Sequence, residues 1–192
     1  MRFFRFFLLI VIMSLGVNFQ NLAQAEKYSR TVETFKKSPA VQPFFKSAYG
    51  YAVFPTVGKA GFGIGGAYGS GQVYRRGKVT GTAKLFKGTI GFQLGGQAFS
   101  EIIFFEDKRA FDDFTSGNFE FDAVASAVAI TAGVQAKAGT EGATAGASAG
   151  PATGAQAETS YRRGMAVFVH TLGGLMYEAA IGGQKFSYDP KR

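Results

Sequence analysis

The sequence predicts an α+β domain. Its main element is a mostly antiparallel, strongly curved, glycine-rich β-sheet or partial barrel, joined by an N-terminal helix and one or two short helices. Three observations lead there. Apolar residues alternate with period two through several segments, as strands do. Glycine fills one of the alternating faces, which suits a bent sheet or a close backbone approach. Two stretches, Glu26 to Lys37 and Asp107 to Gly117, have helical spacing with stop signals.

The chain opens with "MRFFRFFLLIVIMSLGVNFQNLAQA", which has Arg2 and Arg5, an apolar core from Phe6 to Val17, and small residues at Ala23 and Ala25. This order predicts a secretory signal peptide over residues 1–25, cleaved between Ala25 and Glu26. The apolar core is shorter than the roughly 20 residues of a spanning helix, which weighs against the alternative of an uncleaved anchor. The expected location is the periplasm or cell envelope, or the medium. The sequence has no cysteine, which excludes disulfides, thiolate chemistry and a lipid-modified N-terminal cysteine.

Cleavage after residue 25 leaves 167 of the 192 residues, enough for a single domain, 26–192. It removes two arginines and no acid, so the formal charge falls from +8 to +6. A basic surface favours anionic partners: phospholipid headgroups, nucleic acid or acidic glycans. Export makes nucleic acid the least favoured of these, and none is expected.

In the first helix Tyr28, Val32 and Phe35 fall on one face at i, i+4 and i+7, and Ser38-Pro39 stops it. Phe44 and Phe45 are candidate core, and Tyr51 to Phe54 reads as a first strand. Next comes "AGFGIGGAYGSGQVYRRG", which contains the letters of a dinucleotide-binding turn, Gly61-x-Gly63-x-x-Gly66. Read by period, Gly61, Gly63, Gly65, Ala67 and Gly69 lie on one face of an extended strand, opposite Phe62, Ile64, Gly66 and Tyr68. A nucleotide turn needs a helix starting within the glycines and an acid about 20 residues on. Strand-like residues continue instead through Tyr74, and "KVTGTAKLFKG" has no acid. Gly61, Gly63, Gly65 and Gly66 are therefore expected to be structural, thinning one face of a closely packed sheet.

"GTIGFQLGGQAFSEIIFFED" repeats the construction, glycine-rich and then apolar from Ile102 to Phe105. "DKRAFDDFTSG" predicts a helix with Asp107 as cap and Gly117 as stop. "FDAVASAVAITAGVQA" places Val124, Val128, Ile130 and Val134 at even positions, which favours a strand. Residues 136–160 have no apolar side chain larger than alanine, so a flexible loop is expected there, with a functional lid as the alternative. "GMAVFVHTLGGLMYEAAIGGQKFSY" supplies two or three more strands.

Three blocks together resemble the SYLF lipid-binding domain family: "AYGYAVFPTVGKAGFGIGGAYGSGQVY", "GFQLGGQAFSEIIFFEDKRAFDDFTSGNFEF" and "SYRRGMAVFVHTLGGLMYEAAIGGQKFSYD". The likeness runs from about Lys27 to Tyr188. Eukaryotic members bind phosphoinositide-containing membranes, and some reach actin through an attached SH3 domain. This chain shows an export signal and no SH3 or FYVE domain. The resemblance therefore implies peripheral lipid binding to anionic, phosphoinositide-like headgroups. It does not imply an actin partner, and it leaves protein partners unspecified.

Peripheral attachment needs cations for headgroups, each contributing about 1 kcal/mol near an anionic surface. The candidates are Lys36 and Lys37; Arg75, Arg76 and Lys78; and Lys84 with Lys87. The competing reading is that these are ordinary solvated positions. Phe44, Phe45, Phe104 and Phe105 read as core before they read as a pocket. Catalysis is not expected: His170 is the sole histidine and sits within the apolar strand "MAVFVHTLG". Asp107, Asp112 and Asp113 lack calcium-loop spacing, so neither metal nor cofactor is expected. The alternative of a different class is a structural outer-membrane β-barrel. Against it stand a face of glycine and alanine where a lumen would be polar, and the ending "DPKR", which does not read as a closing strand.

Overall fold

The computed structural model describes residues 23–62, 64–90, 95–122, 127–130, 160–173 and 183–191. The expected signal core, Gly63 and the 136–159 stretch of the expected loop lie outside them. Four long strands, β1 (Gly50–Phe62), β2 (Ile64–Arg75), β3 (Lys78–Ile90) and β4 (Gly95–Phe105), form the centre of one sheet. β5 (Phe119–Glu120), β6 (Val128–Ile130), β7 (Met165–Gly173) and β8 (Lys185–Pro190) complete it in the order β5-β8-β3-β2-β1-β4-β7-β6. Only β6 on β7 is parallel among these pairings. The fold is α+β, sheet-rich and mostly antiparallel, as its alternation predicts.

The curvature can be read from ring contacts. Phe54 on β1 and Phe186 on β8 have centroids 5.6 Å apart, although β2 and β3 lie between their strands. Three strand steps on a flat sheet would separate them by about 14 Å. The sheet therefore curls into a half-barrel and gathers an inner core. Phe54, Val73, Leu85, Ile103, Phe105, Val167 and Phe186 meet there.

Among the described residues three helices cover the two faces. α1, residues 23–36, buries the predicted stripe of Tyr28, Val32 and Phe35 against the outer face. α2 (Gln42–Ser47) adds Phe44, which meets Phe168 edge-on at 5.0 Å. α3 (Lys108–Thr115) inserts Phe111 and Phe114 into the inner core. Asp107 caps α3 as predicted, accepting from Ala110 N at 2.8 Å. With both faces covered, β4 is buried on both sides. Ile103 and Phe105 enter the inner core while Ile102 and Phe104 enter the outer one. Phe44, Phe104 and Phe105 are thus core, and Phe45 packs half-buried beside them.

One expectation needs correction. Gly61 to Gly69 do not lie on one continuous strand, because Phe62 pairs with Ile64 and the chain reverses between them. Gly61 still shares a face with Gly65, now as its cross-strand partner. Close packing also occurs at Gly71, outside the set singled out from the sequence. A Cβ at Gly71 would stand 2.6 Å from the Phe54 ring and 2.8 Å from Val53 O, whereas one at Gly66 would meet only Lys87 O, at 3.3 Å. The C-terminal "DPKR" contributes Asp189 and Pro190 to β8, which pair with Thr82 and Gly81, without closing a barrel, since β5 and β6 end the sheet. Proline is tolerated there because β5 reaches only Lys185 and Phe186, so β8 is an edge at Pro190. Of the alternating segment Ala123 to Ala136, the described strand is β6; Val124 and Val134 lie outside the described residues.

Candidate lipid-binding surface

Arg75 and Lys78 pair at the end of the β2–β3 hairpin, which leaves Arg76 and Gly77 as its two-residue turn. Their φ values are 51° and 75°. Positive φ at both central positions is the type I′ turn, whose twist matches a hairpin. The turn projects Arg75, Arg76 and Lys78 into solvent, and none forms an ion pair among the described residues. Arg75 also lies over the Phe111 ring, 6.0 Å from its centroid.

The same construction occurs once more, at a place the sequence reading did not single out. Arg162 N donates to Met165 O at 2.8 Å and Met165 N to Arg162 O at 3.0 Å. Between them Arg163 and Gly164 take φ values of 53° and 80°. The register brings the two turns to one end of the sheet. Lys78 pairs with Arg75, Arg75 with Gly50, Gly50 with Phe105 and Phe105 with Met165. The local signal in the sequence is the repeated tripeptide Arg-Arg-Gly, at Arg75 to Gly77 and at Arg162 to Gly164.

α3 starts at this same end. Its cations are matched by acids: Lys108 with Asp112, and Arg109 with Asp113 at 3.3 Å and Asp107 at 3.8 Å. Arg163 likewise meets Asp122, whereas exposed Arg162 has no ion pair among the described residues. Asp107, Asp112 and Asp113 therefore cap and neutralise α3. No group of metal-binding side chains occurs among the described residues.

The remaining predicted cations separate. Lys36 and Lys37 are exposed at the end of α1. Lys36 pairs with Glu33 at 2.8 Å and lies 5.8 Å from the Phe45 centroid. Lys84 and Lys87 do not form a cluster: three residues apart on a strand, they point to opposite faces. Lys84 is exposed on the outer face, two residues from Phe86. Phe86 and its partner Tyr68 are 47% and 50% exposed, with ring centroids 5.1 Å apart. Lys87 is half-buried on the inner face, where its charge acts on Glu101.

Glu101 is fully buried and accepts from Gln184 Nε2 at 3.0 Å. Burial pushes its carboxyl up to about 7, against the lowering effects of the Gln184 hydrogen bond and the Lys87 charge. His170 stands on the outer face of β7, and burial lowers its pKa. Two open clefts of about 460 Å³ flank α1. One is bordered by Tyr28, Tyr68 and Ser70, the other by Arg30, Ser100, His170 and Leu172. His170 is the register partner of Ser100, whose hydroxyl donates to Pro55 O, and His170 Nδ1 is buried without a hydrogen-bond partner among the described residues.

No family model matches the chain. It is similar to a curated protein, Beta cell expansion factor A of Aeromonas veronii, with 29% identity over 160 residues. That match takes in 82% of this chain and 52% of the other protein, so the chain spans about half the length of this relative.

Proposed function

We propose that the chain is an exported, non-catalytic lipid-binding protein of the SYLF type, attached peripherally to anionic, phosphoinositide-like headgroups. The observation that carries this reading is the Arg75–Lys78 hairpin tip. Three exposed cations stand together on a rigid turn, with no acid paired to them among the described residues. Such a tip is attracted to a negative surface without the desolvation of a buried site. Its sheet is stiffened by two cores, so the charges are presented at fixed spacing.

The outer-membrane barrel reading has one observation in its favour: β1 to β4 have 11 to 13 residues each, long enough to span. Against it, α1 and α2 cover apolar positions of the outer face that a barrel would present to lipid. Flotation of the chain with phosphatidylcholine vesicles, with and without phosphatidylserine or phosphoinositide, tests the proposal. The expected result is binding only to anionic vesicles, weakened by salt. Equal binding to neutral vesicles, or retention in membranes after carbonate extraction, would overturn it.

A further inference from the structure

We infer that the bilayer faces the end of the sheet where both Arg-Arg-Gly turns lie, with Arg162 as a contact. This rests on the lipid-binding reading. In a flat sheet three strand steps, about 14 Å, would separate Arg75 on β2 from Met165 on β7. One surface can therefore meet both turns. The described residues with positive φ other than glycine are Arg76 and Arg163, both at this end. Asparagine would adopt that conformation more easily. Backbone strain of this kind collects where the side chain is used. Neutralised cations cannot supply the attraction, and Lys108, Arg109 and Arg163 are already matched. Arg75, Arg76, Lys78 and Arg162 are exposed cations of this end with no ion pair among the described residues, and they outnumber its exposed unpaired acid, Glu106, whose backbone N–H donates to Gly164 O.

The test compares Arg76→Gln, Arg162→Gln and Lys84→Gln in flotation with phosphatidylserine-containing vesicles. Arg76→Gln and Arg162→Gln should each lower partitioning about fivefold, the equivalent of one near-surface cation. Lys84→Gln, on the outer face, should leave it unchanged. Loss with Arg76→Gln but not Arg162→Gln would overturn the two-turn surface and leave the lipid reading standing. Equal losses in all three would reduce the attraction to overall net charge and overturn it too. No binding by the parent would instead overturn the lipid reading.

Independently of any membrane, we propose that Glu101 and Gln184 share one proton inside the curled sheet, as a carboxylic acid–carboxamide pair. Gln184 Nε2 donates to Glu101 Oε2, while Glu101 Oε1 and Gln184 Oε1 are both buried without a hydrogen-bond partner. A proton on Oε1 gives one of these orphaned acceptors to the other as a donor. Both are then satisfied at once, where otherwise each would carry its desolvation penalty. The pair reaches from β4 to the residue leading into β8, elements that β1, β2 and β3 separate along the sheet. It therefore pins the curl. Around Glu101, β1 and β7 present Phe54 and Val169 in register, and β8 carries Tyr188, whose hydroxyl donates to Thr80 O. Lys87 on β3 supplies the charge that opposes protonation.

The sign follows from the direction of the shift. With the carboxyl raised from 4.5 to about 7, the folded state holds a proton that the unfolded state has released between those values. Stability from this group is present in full below about pH 4.5, is lost as pH rises toward 7, and is flat above. Glu101→Gln keeps both hydrogen bonds as an amide–amide pair and cannot ionise. The difference between parent and variant unfolding curves should grow across this interval, to about a hundredfold or more in the folded-to-unfolded ratio. A carbon-13 titration of Glu101 in the parent, whether or not the variant folds, should show a midpoint well above that of a free glutamate. A midpoint at or below 4.5 would mean a carboxylate held by Lys87, and would overturn the shared proton.

Discussion

At Gly71 the missing methyl group decides whether β2 can lie against the Phe54 ring. A Cβ there would meet that ring at 2.6 Å and the backbone carbonyl of Val53 at 2.8 Å. A ring can rotate a little, but the carbonyl belongs to a paired strand and cannot. Gly71→Ala is therefore expected to destabilise by about 1–3 kcal/mol through overpacking. Gly58 is the control, since a Cβ there meets nothing within 4 Å. Gly58→Ala should fall within about 0.5 kcal/mol of the parent. Urea unfolding of the two variants checks both, and equal midpoints would refute the close-packing account. The sequence announced that glycine would thin a face but not which glycine. Gly71 and Gly58 have the same residue type in strands of the same period. They differ in what stands opposite, and Phe54 reaches Gly71 only through the pairing of β1 with β2.

The short elements show where local chemistry was enough. α3 is bounded by signals written in adjacent residues, Asp107 before it and Gly117, with φ 105°, after it. Asp107→Ala should cost about 1 kcal/mol as a lost cap, read as a lower melting temperature. The hairpin between β1 and β2 was not legible, because period-two alternation continues unchanged across a reversal when cross-strand partners share a face. The split of Lys84 from Lys87 was legible in principle, from the odd spacing on one strand. The second cationic turn was legible as a repeated tripeptide but could be placed beside the first only by register. A substitution in the first turn separates charge from fold. Arg76→Asn removes a cation yet suits the left-handed backbone better than arginine does. The expected outcome is a slightly higher melting temperature with weaker flotation on anionic vesicles. A fall in both would mean that Arg76 supports the turn rather than the surface.

On the scale of the whole molecule, the sheet divides one chain into two cores. Phe44 belongs to the outer cluster, with Phe104 and Phe168 at centroid distances of 5.6 and 5.0 Å. Phe114 belongs to the inner cluster, with Phe105 at 4.9 Å and Phe186 at 5.0 Å. Adjacent residues Phe104 and Phe105 feed opposite clusters, so the backbone of β4 itself forms the partition. A partition made of paired strands transmits little, because a hole on one face relaxes into its own cluster before it moves the ladder. Phe44→Leu and Phe114→Leu should then be additive in unfolding free energy, within about 0.5 kcal/mol. Phe44→Leu and Phe168→Leu share a contact, and their double variant should depart from additivity by more than that. Coupling across the sheet as large as coupling within the outer cluster would mean that the two faces act as one core.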